Sequence, residues 1–312
     1  TLTGTDADGN SASCTATVTV EDNVNPVMVC QDITVQLDAT GNASIVAADV
    51  DNGSADACSA LTLSIDISSF TCADIGANTV TLTGTDADGN SASCTATVTV
   101  EDNVAPTFTT CPPDVNVNTD ASCEVSLADY TSLAVVSDNC DGAPVITQSP
   151  AAGTILSGSG TVQSVTLTVT DAAGNSDNSC TFDVSLIDNI DPVFTFCPAD
   201  VTIDVDASCN ITLADYTGLA TASDNCDPNP VITQSPVAGT ILNGHGTTQL
   251  VTLTVTDASG NFDNSCTFTI TLNDAIDPVA VCQDITINLD GFGNASIVPA
   301  DVDGGSTDNC NL

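Results

Sequence analysis

The sequence predicts an all-β protein: immunoglobulin-like β-sandwich domains joined end to end and stapled by disulfides. Three observations carry this. Short runs rich in Val, Ile, Leu and Thr alternate with a period of two, as in Val162 to Thr170, and no helical periodicity appears. Asp-Ala-x-Gly-Asn turns break the runs. Fifteen cysteines in 312 residues supply covalent ties for domains too small to rely on their cores alone.

The repeat sets the domain count. Residues 1–24 and 81–104 are identical, and looser copies run from Thr166 to Pro192 and from Thr252 to Pro278. Junction prolines Pro26, Pro106, Pro192 and Pro278 are spaced by 80, 86 and 86 residues. That interval is too long for a solenoid unit and suits one small domain. The expected domains are 25–104, 105–190 and 191–276. Residues 1–24 read as the C-terminal part of one repeat and 277–312 as the N-terminal part of another. The chain is therefore expected to be a slice of a longer array.

The stretch 105–190 shows the elements in order. Thr107 to Pro113 opens it, and Val115-Asn116-Val117-Asn118 alternates as a strand. Ser122 to Leu127 is the next strand, and Ala128-Asp129-Tyr130 reads as a short turn. Ser137 to Gly142 is a polar loop, Val145 to Gln148 a short strand, and Gly153 to Leu156 another. Val162 to Thr170 places Val165, Leu167 and Val169 on one face. Asp171 to Asn175 is a hairpin turn in which Gly174 supplies the positive φ. Cys180 to Ile187 closes the set with Phe182, Val184 and Leu186 inward. About seven short strands make an immunoglobulin-like sandwich, without the core tryptophan of the antibody type.

Charge excludes whole classes of partner. Lys plus Arg is 0 against 41 acidic residues, so the formal net charge is −41. Nucleic acid and anionic membrane surfaces require basic patches and are excluded. Cations are favoured instead. No carboxylate can pair with Lys or Arg, so water, backbone donors or metal ions must satisfy them. Hydrophobic residues at 42% exclude a disordered chain, and no apolar run is long enough to span a membrane.

The cysteines point to an oxidising, extracytoplasmic setting. They fall as Cys14; Cys30, Cys58, Cys72 and Cys94; Cys111, Cys123, Cys140 and Cys180; Cys197, Cys209, Cys226 and Cys266; Cys282 and Cys310. No Cys-x-x-Cys pair or His cluster suggests zinc. Four cysteines allow three pairings. Three positions are shared between repeats and the fourth wanders, being Cys72 in one and Cys123 or Cys209 in the others. The economical expectation ties first to last: Cys30–Cys94, Cys111–Cys180 and Cys197–Cys266. The remainder would then close short loops as Cys58–Cys72, Cys123–Cys140 and Cys209–Cys226.

Taken together, Cys-Pro, Ser-Asp-Asn-Cys, Thr-Val-Thr-Asp-Ala-x-Gly-Asn-x-x-x-x-Cys-Thr-Phe and Asp-x-x-x-Pro resemble the hyalin repeat (HYR) domain. The match is strongest at Cys111-Pro112, Asp171 to Asn175 and Cys180, and at Cys197-Pro198, Asp257 to Asn261 and Cys266. The stretch 25–104 departs from it, because Gln31 follows Cys30. The resemblance implies an immunoglobulin-like fold and a link to adhesion. Tandem acidic copies also resemble the stalks of giant secreted adhesins of Bacteroidetes, including gliding-motility adhesins.

Sandwich geometry places the hairpin before the last strand at the end where the first strand begins. Asp171 to Asn175 should therefore face the preceding junction, with the Asp138-Asn139-Asp141 loop at the same end. The candidate calcium ligands are Glu21, Asp22 and Asn23 with Asp86, Asp88 and Asn90; Glu101, Asp102 and Asn103 with Asp171 and Asn175; and Asp188, Asn189 and Asp191 with Asp257 and Asn261. Calcium takes six to eight such oxygens, and the junction resembles, in shorter form, the calcium-binding linkers of cadherin repeats. The plainer reading is that Asp-x-x-Gly-Asn is simply a good turn and the linker a solvated acidic surface. His245 sits in a glycine loop aligned with Ser159 and reads as incidental, and Tyr130 and Tyr216 read as structural.

No catalytic constellation is present, and one histidine cannot serve every repeat, so the chain does not read as an enzyme. The expected function is structural: a stalk of an extracellular, cell-surface adhesin or filament that holds an adhesive tip away from the cell. Two alternatives stand beside it. One is a self-assembling fibre or sheath subunit. The other is repeats that themselves bind glycan or protein, which the 3% aromatic content disfavours. The partners expected are neighbouring repeats and other copies in a filament, with no nucleic acid and no membrane insertion.

Overall fold

The computed structural model describes residues 1–310, so the last two residues of the expected 277–312 segment lie outside it. Strands joined by turns build the chain, and its helical elements are short turns of three or four residues. Contacts divide it into two compact units. The first is Thr1–Pro113 with Asp129–Ala152 and Val165–Phe182; the second is Asp114–Ala128 with Gly153–Ser164 and Asp183–Leu312.

In the first unit a four-stranded sheet runs in the order Ile33–Gln36, Ser91–Glu101, Gly76–Thr85, Thr62–Ile65. Its first pair is parallel, with Ile33 opposite Val98 and Gln36 opposite Glu101; the others are antiparallel. A second layer pairs Asn42–Ser44 with Ser69–Thr71. Alternation decides which side chains meet between the layers. Val80 and Leu82 point inward from one arm of the hairpin and Ala96, Val98 and Val100 from the other, and they pack with Leu37, Ile45, Val50 and Phe70. The same unit pairs Thr107–Thr110 with Val135–Ser137 and Val145 to Ser149 with Thr166 to Thr170. Val135–Ser137 is a strand to which the sequence analysis assigned no element, apart from Ser137 as the start of the polar loop. Tyr130 packs edge-on against Phe182 with ring centroids 5.0 Å apart.

The second unit repeats the plan. Its sheet runs Val201–Asp204, Phe262–Asn273, Thr248–Thr256, Val231–Ser235, again with a parallel first pair. Asn210–Thr212 pairs with Ile241–Asn243. Leu213, Val251, Leu253, Phe268, Ile270 and Leu272 form its core, with Tyr216 edge-on to Phe268 at 5.0 Å. Val115–Asn118 runs parallel to the stretch from Val184 to Ile187 in this unit.

Six disulfides form among the described residues. Three tie first to last: Cys30–Cys94, Cys111–Cys180 and Cys197–Cys266. The other three correct the expectation of short closed loops. Cys72 bonds Cys140, Cys123 bonds Cys226 and Cys209 bonds Cys310, in place of Cys58–Cys72, Cys123–Cys140 and Cys209–Cys226. Each of these bonds ties one sequence repeat to the next. The reason is positional. Cys58 lies beside Asp22, in the linker that precedes its repeat. Cys72 lies against Asn139, beyond the linker that follows it, with its Sγ 3.4 Å from the Asn139 carbonyl. The two cysteines thus sit at opposite ends of one sandwich. Cys14, Cys58 and Cys282 are free and exposed.

Candidate junction sites

The Asp-x-x-Gly-Asn segments form one local structure each time. Asp171 N–H donates to the Asn175 carbonyl at 3.0 Å, and Gly174 closes the turn at φ +97°. The Asp171 carboxylate accepts Asn175 N–H through Oδ1 at 2.7 Å and Asn175 Nδ2 through Oδ2 at 2.8 Å. Backbone and amide donors thus take the place of the missing cations. At Asp86 the hydrogen bond from the Asn90 side chain outweighs burial and holds the carboxyl below its ordinary value.

The turn then grips the linker. Asn175 Nδ2 also donates to the Asp102 carbonyl at 3.0 Å. From the other side Asn139 Nδ2 donates to Asp102 Oδ1 at 3.1 Å and to the Asp38 carbonyl at 3.2 Å. Asp138 turns its own loop by accepting Cys140 N–H at 2.9 Å and Asp141 N–H at 2.7 Å through Oδ2. Asp102, Asp138 and Asp171 thereby each present one carboxylate oxygen within 4.8 Å of the others. Asp102 and Asp171 line a cleft of about 140 Å³ together with Cys140 and Asp141.

The second unit holds the same arrangement. Asn261 Nδ2 donates to Asp257 Oδ2 at 2.7 Å and to the Asp188 carbonyl at 3.1 Å. Asn225 Nδ2 donates to Asp188 Oδ1 at 3.3 Å and to the Asp120 carbonyl at 3.1 Å. Asp188, Asp224 and Asp257 again fall within 4.8 Å of one another. A third group, Asp22, Asp56 and Cys58, is less buried, and there Asn90 Nδ2 donates to the Asp22 carbonyl at 3.0 Å. The Asp22 carboxylate, hydrogen-bonded to the thiol and charged beside it, pushes Cys58 up from its ordinary value.

Of the sequence-predicted ligands, the structure gathers Asp102, Asp171 and Asn175, then Asp188, Asp257 and Asn261, then Asp22 and Asn90. Asp86 holds its turn. Glu21, Asn23, Asp88, Asn103, Asn189 and Asp191 are exposed and stand outside the three groups. Glu101 is exposed as well and accepts Gln36 Nε2 at 2.8 Å. The carboxylates that the predicted ligand set omits are Asp56, Asp138 and Asp224. Their signal was the recurring Asp-x-Cys or Asp-Asn-Cys tripeptide, of which only the copy at Asp138 was read as a polar loop at this end. His245, taken as incidental, accepts Asp274 N–H on Nδ1 at 2.8 Å.

No family model matches the chain. A curated relative, "Hyalin" of Strongylocentrotus purpuratus, is 32% identical over 122 residues, which is 38% of this chain and 10% of the relative's length. Among solved structures, a fragment of mouse cadherin-23 is similar at 12% identity and a TM-score of 0.37, covering 80% of this chain and 99% of that one. Sidekick-1 immunoglobulin domains 1–5 are similar at 12% identity and a TM-score of 0.34, covering 80% of this chain and 59% of that one.

Proposed function

We propose that the chain is part of an extracellular stalk whose successive repeats are locked to one another covalently. The observation that carries this is the set of bonds Cys72–Cys140, Cys123–Cys226 and Cys209–Cys310, each crossing from one sequence repeat into the next. A binding module gains nothing from a bond to its neighbour. A chain that must transmit force gains a second covalent path past each junction. The repeats 25–104, 105–190 and 191–276 serve in this reading as the mechanical units, and the role is structural rather than enzymatic. The disulfides fit an extracellular setting. The hyalin-repeat resemblance suggests a cell-surface adhesin or filament, as in the giant adhesins of Bacteroidetes, with the tip outside this stretch. Cations, calcium among them, are the counter-charges its acidic junctions would meet.

Stretching single chains from their ends tests the reading. With disulfides intact, extension should stop once the residues outside the bonds are drawn out, and reduction should lengthen the chain severalfold. An oxidised chain that extends as far as the reduced one would sink the idea. Tight binding of the isolated chain to glycan or protein arrays would replace it with the binding-module reading. Lateral assembly is the second reading. It is favoured by the uncharged sheet-edge strands Val145–Ser149 and Val231–Ser235, whose first valines are 64% and 62% exposed. Sedimentation of the oxidised chain over a concentration series would reveal it.

A further inference from the structure

We infer that the Asp188, Asp224 and Asp257 carboxylates, with the side-chain carbonyl of Asn225, form a specific site for a hard divalent cation, calcium in preference to magnesium, and that Asp102, Asp138, Asp171 and Asn139 form its copy. The inference rests on more than acidity. Asp188 is 3% exposed, yet its Oδ2 is buried without a hydrogen-bond partner. Asp224 Oδ1 and Asn225 Oδ1 are orphaned in the same way. Each belongs to a group whose other polar atom is fully engaged. Asp224 Oδ2 accepts Cys226 and Asp227 N–H, both at 2.8 Å. Asn225 spends its amide nitrogen on Asp188 Oδ1 and the Asp120 carbonyl. The donors are used up holding the loop, and the acceptors left over are oxygens only.

The copy repeats the loop half of this pattern. Asp138 Oδ1 and Asn139 Oδ1 are buried without partners, while Asp102 and Asp171 are 6% and 7% exposed. A buried acceptor left unpaired costs on the order of 1–3 kcal/mol, and more if charged. Finding equivalent orphans at two sequence-distant junctions argues for a shared ligand. A cation that binds oxygen fits such a place, because every orphan there is an acceptor and the chain has no Lys or Arg to fill it. Three carboxylate oxygens within 4.8 Å of one another fit around one ion with Ca–O distances of about 2.3–2.6 Å. Oxygens brought from a linker, a loop and a hairpin suit calcium's irregular shell better than magnesium's strict octahedron. Water can complete the shell through the adjoining cleft of about 220 Å³, which Asp188 and Cys226 line with Ser159.

The site stands apart from the stalk reading, since its test measures binding and not stiffness. Calcium bound per chain would be counted by equilibrium dialysis of the full oxidised chain at physiological salt. Asp138→Asn and Asp224→Asn each keep an oxygen for the loop N–H groups and remove one charge. Each should abolish or weaken at least tenfold one saturable site, and the pair should do so for two. Asp8→Asn, an exposed carboxylate outside these groups, should change nothing. An unchanged count in the double variant, or binding that is diffuse and vanishes at physiological salt, would overturn the proposal. Amide hydrogen exchange of the unaltered chain guards against a misfolded variant. Calcium should slow exchange at Cys226 and Asp227 relative to chelator and to magnesium, and equal exchange in all three conditions would also overturn it.

Discussion

Two joints perform one task with cysteines from different places. The turn Asp120 to Glu124 carries Cys123 at φ 58°, and Cys123 reaches Cys226. The corresponding turn Asp38 to Asn42 has Gly41 at φ 75° in that position, and its bond to Cys140 comes instead from Cys72, after the strand Ser69–Thr71. A Cβ added at Gly41 would lie 2.5 Å from Cys72 Sγ and 3.5 Å from Cys140 Sγ. The sulfur therefore occupies nearly one location, approached from two neighbouring strands. What is specified is the position of the bond against the Asp-Asn-Cys loop, and the residue that supplies it is interchangeable. The solutions differ in strain. A non-glycine residue in the left-handed region costs on the order of 1 kcal/mol, which Cys123 bears and the Cys72 route avoids by leaving glycine in the turn.

Removing the locks should give the largest effect. Their sequence separations are 68 and 103 residues, but the Cys111–Cys180 bond shortens the longer loop. Chain entropy then makes the two comparable, at about 4 kcal/mol each. Cys72→Ala with Cys140→Ala should lose about that much in denaturant melts under oxidising conditions. Cys123→Gly with Cys226→Ala should lose about 1 kcal/mol less, because it also relieves the turn. Equal losses would show that the φ of Cys123 carries no cost.

Transplanting the lock is the sharper test. In a Cys72→Ala background, adding Gly41→Cys should restore a bond to Cys140, found by peptide mapping without reduction. It should recover most of the lost stability, falling short by about the turn strain. A Cys140 thiol that still titrates as free would refute the shared location.

The sandwich could be read because alternation and turn chemistry are local. Val165, Leu167 and Val169 announce an inward face, and all three are fully buried. Asp-x-x-Gly-Asn fixed the hairpin, and the hairpin fixed the end at which Asp102 and Asp171 meet. Two features needed longer-range information. Val135–Ser137 is a three-residue strand made by pairing with Thr107–Thr110, too short to show a period. The second set of disulfides was misread because counting four cysteines per repeat presumes that bonds close inside it. An even count is equally satisfied when each repeat gives one bond forward and receives one from behind. The Asp138-Asn139-Asp141 loop was placed at the junction end, yet Asp138 and its counterpart Asp224 were left out of the ligand sets, since nothing local says which carboxylate of the loop turns toward the linker.

A smaller effect is expected from the amide clamp that both joints share. Asn175 bridges Asp171 Oδ2 and the Asp102 carbonyl, as Asn261 bridges Asp257 Oδ2 and the Asp188 carbonyl. Asn175→Ala or Asn261→Ala should each cost about 1–2 kcal/mol by calorimetry, because a buried acceptor is left unpaired. Similar losses would mark the clamp as the element common to both joints, and a large difference would assign the linker's order chiefly to the disulfide.

The smallest effect separates the turns themselves. At the first joint Thr40 donates both its hydroxyl, at 2.6 Å, and its N–H, at 2.8 Å, to Asp38 Oδ1. The Thr40 hydroxyl bond is the main reason the Asp38 carboxyl is held below its ordinary value, followed by the N–H groups of Asn42 and Thr40. In the second joint Ser122 donates its N–H to Asp120 Oδ1 at 2.8 Å. A carboxyl depressed in the folded state stabilises it fully above the unfolded value, about 3.9, and loses that contribution as pH falls through the lower folded value. Thr40→Val should therefore lower the melting temperature slightly at neutral pH, and the difference from the unaltered chain should shrink as pH drops below about 4. Thr40 and Asp38 are exposed, so the shift will be small and salt will not abolish it, since it arises from a hydrogen bond rather than an ion pair. A difference that grows on acidification would mean that the hydroxyl favours the protonated carboxyl, and the sign assigned to this turn would reverse.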